Sequence, residues 1–149
     1  MAITKIINIG FSKKGNITRH LANALEYIQN GEKTESGILV GSINSLPDTA
    51  LEQMLETKRF FGKEGGRQGY HLIISLVPGE GSPEIAYEII QKFAEKFLGD
   101  DYEGVYAVHA DKEHTPAHLT LNSVNMNTDQ NTITKKGTGS IRFRQLQMN

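Results

Sequence analysis

The sequence predicts an α+β domain in which a central, mainly antiparallel sheet is flanked by helices. Three observations carry this. Apolar residues recur with strand and helix periods in the order strand, helix, strand, helix, strand, helix, strand, strand. The last two strand-like runs read as a hairpin, which requires an antiparallel pair. No glycine-rich dinucleotide fingerprint follows a strand, which disfavours the doubly wound parallel alternative.

Taken in order, the first strand is expected around Ile3 to Ile9. From Asn16 to Asn30, residues Ile17, Leu21, Leu25 and Ile28 recur at helical spacing, and Asn30-Gly31 ends the helix. His20, Asn23 and Tyr27 share its polar face, so Tyr27 is presented rather than buried. A second strand is expected at Ile38-Leu-Val40. Pro47-Asp48-Thr49 then opens a helix with Leu51, Met54 and Leu55 inward, fading near Phe60-Phe61. A loop with Gly62, Gly65, Gly66 and Gly69 precedes Tyr70 to Val77, an apolar run suited to the middle of a sheet. Because these glycines precede a strand and not a helix, they do not read as a phosphate cradle. Ser82-Pro83 supplies an N-cap and a first-turn proline, and Ile85, Ile89, Phe93 and Phe97 form the expected buried stripe of a helix ending at Leu98-Gly99.

With 149 residues and 38% hydrophobic content, one domain with a real core suffices. We expect it to span 1–130, with 131–149 a short, polar, basic tail. Cysteine is absent, so any metal must take nitrogen or oxygen ligands. The N-terminus is too polar for a signal peptide and no run approaches a membrane span, so a cytoplasmic location is expected. The formal net charge of −1 excludes a uniformly basic coat, yet the basic residues are clustered. Lys13, Lys14 and Arg19 form one group, Lys58, Arg59, Lys63 and Arg67 a second, and Lys135, Lys136, Arg142 and Arg144 a third. Such groups can track a phosphate backbone.

The densest chemistry lies in the hairpin, His109-Ala-Asp111-Lys-Glu113-His114-Thr-Pro116-Ala-His118-Leu-Thr-Leu-Asn122. Strand alternation puts Val105, Ala107 and His109 on one face, and His118, Thr120 and Asn122 on one face. Antiparallel pairing then brings His109 and His118 together at the base of the loop. Neutral imidazoles there, with Asp111, Glu113 and His114 nearby, can hold a divalent ion.

The chain carries four motifs in order: Tyr27-Ile-Gln-Asn-Gly-Glu-Lys33-Thr34, Arg67-Gln-Gly-Tyr70-His71, Ser75-Leu-Val-Pro78-Gly79-Glu80 and the histidine segment. On these it resembles the relaxases, more narrowly the relaxase and mobilisation nuclease domains of the MobP group, related to T-DNA border endonucleases and carried by conjugative plasmids and transposons. The resemblance covers Met1 to about Asn127. It implies an HUH-type endonuclease that nicks single-stranded DNA at an origin of transfer, helped by accessory relaxosome proteins. A tyrosine attacks the phosphodiester, is joined to the 5′ phosphate and leaves a free 3′ hydroxyl. It further implies Tyr27 as nucleophile, His71 and Glu80 at matching family positions, His109, His118 and His114 around Mn²⁺ or Mg²⁺, and Arg67, Lys58 and Arg59 as candidates for contacts to the DNA backbone. A phenol with a pKa of about 10 needs a base or cation to attack at neutral pH, and a divalent ion stabilises charge on the phosphate.

One departure stands out. The family pattern is His-x-Asp/Asn-x-x-His-x-His-x-His, and Pro116 occupies its third histidine position. Proline removes a ligand and fixes φ near roughly −65°, so weaker metal binding and reduced nicking are expected. The competing expectation is a non-catalytic single-stranded DNA-binding relative that keeps the fold. A hydrolase of small phosphoesters is a third reading, disfavoured because no separate carboxylate cluster is present.

Overall fold

A computed structural model describes residues 2–10, 17–76, 82–111 and 115–127. Strand β1 (Ala2–Ile9) is followed by α1 (Ile17–Ile28), β2 (Val40–Ile43), a 3₁₀ turn (Pro47–Thr49) running into α2 (Ala50–Phe60), β3 (Gly69–Ser75), α3 (Pro83–Leu98), β4 (Gly104–Val108) and β5 (Ala117–Asn122). The strands form one sheet in the order β1-β3-β5-β4-β2, and each neighbouring pair is antiparallel. The expected element order and α+β class are those observed. The expected tail, 131–149, lies outside the described residues.

Register sorts the side chains. His71 faces Thr120 and Ile73 faces His118 across β3 and β5, while Ala107 faces His118 and Val105 faces Thr120 across β4 and β5. Those residues therefore share one face. The other face carries Tyr70, Leu72, Ile74, Tyr106, Val108, Leu119 and Leu121, and packs with Ala86, Ile90, Ala94 and Leu98 of α3. On the first face Val105 packs with Leu21 and Leu25 of α1 and with Ala50 and Met54 of α2. Helices thus cover both faces, and β4 and β5 are buried along their whole length.

Helix α3 begins as expected: Ser82 Oγ accepts from the Ile85 N–H at 3.3 Å, and Pro83 needs no donor in the first turn. Its buried stripe is Ala86, Ile90, Ala94 and Leu98, one residue beyond the expected one, and Ile85 is 46% exposed. The two alanines let the helix approach the sheet, and Ile89, Phe93 and Phe97 pack along its flank. Helix α2 differs similarly, burying Ala50, Met54 and Lys58, with Leu51 and Leu55 only partly covered.

The second strand starts later than expected, at Val40. Residues 31–39 instead form a turn closed by Ser36 N–H to Gly31 O at 2.9 Å and Leu39 N–H to Thr34 O at 3.1 Å. Glu35, Ser36 and Gly37 all adopt left-handed φ values, which no strand accommodates, and Ile38 is 74% exposed.

Candidate active site

The hairpin closes as its alternation requires. The His109 N–H donates to Pro116 O at 3.0 Å, just beyond the last paired residues of β4 and β5. The His109 and His118 rings then lie 4.0 Å apart, centroid to centroid. From β3, His71 adds a third imidazole 5.0 Å from His118. All three are buried.

Tyr27 stands over this cluster from the last turn of α1. Its ring meets His109 edge-on at 5.1 Å and His118 at 5.8 Å, and lies 6.2 Å from His71. Leu21, Leu25 and Ile28 take the buried side of α1, leaving Tyr27 46% exposed. One side of the phenol ring therefore rests on imidazoles while a large part of the residue remains exposed.

Hydrogen bonds assign roles to the imidazole nitrogens. His109 Nε2 donates to Ile28 O at 3.1 Å, so in the neutral ring the lone pair is on Nδ1. His118 Nδ1 and His71 Nε2 share a hydrogen bond of 2.8 Å, whereas His118 Nε2 is buried without a hydrogen-bond partner. Burial, reinforced by His109, pushes His71 down to about 4; burial, with His109, His71 and Lys33 adding to it, pushes His118 down to about 3. Both rings are neutral at pH 7.

This donor chemistry fits a divalent ion. A ligating histidine characteristically donates its second ring N–H to an outer partner. His109 does so to a carbonyl, and the tautomer of His118 that donates to His71 leaves a lone pair without a hydrogen-bond partner on the buried Nε2. His71 in that case stands behind His118 as its acceptor. Among the described residues no group of three or more His, Cys, Asp or Glu is gathered as a metal site. Of the three clustered imidazoles, His109 and His118 are the ones whose hydrogen bonds leave a ring nitrogen for such an ion.

Lys33 completes the surroundings. Its N–H donates to Asn30 O at 3.0 Å, its carbonyl accepts from the Ala110 N–H at 2.6 Å, and Nζ pairs with Asp111 at 3.1 Å. Nζ lies 5.9 Å from the centroid of the Tyr27 ring. In the sequence Lys33 stands out only as part of a motif; the signal for its role is the pairing with Asp111, which no local pattern reveals.

Other candidates fall elsewhere. His114 and Glu80 lie outside the described residues. Lys58 is not a surface cation: it is 1% exposed and donates to Gln68 O at 2.8 Å, to Asn122 Oδ1 at 2.5 Å and to Ser123 Oγ at 3.1 Å. Its position continues the buried stripe of α2, and a phosphate contact there is ruled out by burial. Arg59 is exposed and paired with Glu56 at 2.6 Å, while the Arg67 guanidinium lies 5.9 Å from the centroid of the Tyr70 ring. A groove of about 410 Å³ between α1 and the start of α2 is lined by Glu26, Asp48 and Glu52 and includes neither Tyr27 nor a histidine. Its charge suits no DNA.

The chain belongs to the MobA/VirD2-like family of relaxase nuclease domains, which matches residues 27–147. It is 32% identical over 117 residues to the protein rlx of Staphylococcus aureus, covering 78% of this chain and 35% of that relative. It is likewise 32% identical over 136 residues to the group II intron-interrupted relaxase LtrB of Lactococcus lactis subsp. cremoris, covering 73% of this chain and 24% of that relative. The chain thus spans about a third or less of the length of these relatives. Among the described residues, no helix is long and apolar enough to cross a membrane.

Proposed function

We propose that this domain nicks and transfers single-stranded DNA at an origin of transfer, in the cytoplasm and together with accessory relaxosome proteins, with Tyr27 as nucleophile. The observation that carries the reading is an exposed tyrosine seated on buried, neutral imidazoles in a chain of this family. The bond formed joins Tyr27 Oη to phosphorus and the bond broken is P–O3′. The phenol proton ends on the released 3′ oxygen, and one phosphodiester replaces another, so the step is reversible. His109 and His118 would hold Mn²⁺ or Mg²⁺, which supplies Lewis-acid stabilisation of charge on the phosphate. His71 orients His118. Arg67 and Arg59 offer positive charge to the strand beyond the site.

A random single-stranded pool lets the protein select its own target. Protein with Mn²⁺ is incubated with the pool, and adducts that survive SDS are recovered and sequenced. We expect an enriched site, with recovery abolished by Tyr27→Phe. The presence of Pro116 favours one second reading, a relative that binds single-stranded DNA without cutting it. Salt-sensitive binding, indifferent to EDTA and to Tyr27→Phe, with no adduct from any sequence, would establish that reading instead.

A further inference from the structure

We propose that Lys33 is the phosphate-binding cation of this site: its ammonium group leaves the Asp111 carboxylate to take a non-bridging oxygen of the phosphodiester that Tyr27 attacks. The inference rests on the strand-transfer reading above and adds to it a residue that contacts the reacting phosphate.

Position supports it first. Lys33 Nζ is 5.9 Å from the centroid of the Tyr27 ring, and the Lys33 backbone is tied at both ends, to Asn30 just past the helix that carries Tyr27 and to Ala110 beside His109. The stem of the side chain therefore starts from a fixed point between nucleophile and histidines. Access is also provided: the Lys33 side chain is 25% exposed and that of Asp111 34%. An ion pair so open to water is weakly held, so a phosphate oxygen can replace the carboxylate at little cost.

Charge supports it second. Lys33 and Asp111 cancel each other in the absence of DNA. A phosphodiester brings one negative charge, and further charge gathers on its non-bridging oxygens while the Oη–P bond forms and the P–O3′ bond breaks. An ammonium hydrogen-bonded there strengthens as that charge develops, which is the condition for accelerating the step. The hydrogen bond and charge of Asp111 raise the Lys33 pKa, so the group is a cation when DNA arrives.

The competing role is structural, with Lys33 serving only to pin the turn at Asp111. Rates of SDS-stable adduct formation on an oligonucleotide recovered from the random pool separate the two. We expect Lys33→Met to slow the reaction about 100-fold, the scale of losing one preorganised transition-state contact. Lys33→Arg, which keeps the charge, should lose far less. Asp111→Asn breaks the same ion pair but frees the ammonium, and should also lose far less than Lys33→Met. The double variant Lys33→Met, Asp111→Asn should remain as slow as Lys33→Met alone. Equal losses from Lys33→Met and Asp111→Asn, or recovery in the double variant, overturns the inference while leaving the nicking reading intact. Failure of the unsubstituted protein to form any adduct overturns both.

Discussion

Tyr27 is open to solvent and the imidazoles beneath it are not, so substitutions at the two levels have different consequences. Tyr27→Phe should change unfolding free energy by no more than about 0.5 kcal/mol, as an exposed position does, while removing the covalent adduct. His109→Ala exposes a different balance: it leaves Ile28 O without its buried donor and should cost about 1 to 3 kcal/mol in urea unfolding. The neutral imidazoles also set a pH dependence. His71 and His118 bind protons near 6.5 when unfolded but only near about 4 and about 3 when folded. Between those values the unfolded chain holds more protons, so stability is full above pH 6.5 and falls as pH drops through the window. Each proton contributes a slope of up to about 1.4 kcal/mol per pH unit. Urea midpoints in EDTA from pH 7 to pH 4 should show this slope, and His118→Asn should reduce it; a flat profile would mean the rings are not held neutral.

Helix α2 shows how an element's polar residue can belong to the core. Lys58 Nζ has its three donors satisfied by Gln68, Asn122 and Ser123, and Glu103, itself bonded to Asn122 and Thr57, supplies nearby negative charge. The lysine is what ties the C-terminal end of α2 to β3 and β5. Lys58→Met should therefore destabilise by about 3 kcal/mol, because removing one partner of a buried charge network strands the others. The salt dependence of single-stranded DNA binding, measured well below the melting temperature, should be unaltered; a shallower slope would return Lys58 to the surface. The helices and strands themselves were largely legible, since period and caps are local properties. What local pattern could not reveal was rotation: α3 presents Ala86 and Ala94 to the sheet because small residues allow close approach, a preference that depends on the partner surface. Nor could it tell Lys58 from its exposed neighbour Arg59, since burial of a charge depends on acceptors far away in sequence. At the site, the meeting of His109 and His118 followed from strand alternation and the exposure of Tyr27 from the polar face of its helix, whereas Tyr27 as a candidate nucleophile came only from the resemblance of its motif to the family's. That His71 would stand behind His118 required the β3–β5 register.

At the scale of the molecule, a nearly neutral chain separates its charges: Glu26, Asp48 and Glu52 line a groove whose charge would repel a polyanion, and Tyr27 is not part of it. The metal affinity of the whole domain should reflect the ligand missing at Pro116. Calorimetry with Mn²⁺ should find saturable binding that is lost in the His109→Ala, His118→Ala double variant. Pro116→His should tighten it by about tenfold or more, equivalent to about 1.4 kcal/mol or above. No gain would mean that position 116 does not face the ion. The topology has a further consequence, in time. The pairing of β4 with β5 is the sole one between strands consecutive in the described chain, whereas β1 must wait for β3, and β3 for β5. During synthesis Tyr27 leaves the ribosome about ninety residues ahead of His118, a delay on the order of 5 to 20 seconds at ordinary elongation rates. Until β5 has been made and inserted between β3 and β4, Tyr27 has no complete imidazole bed beneath it.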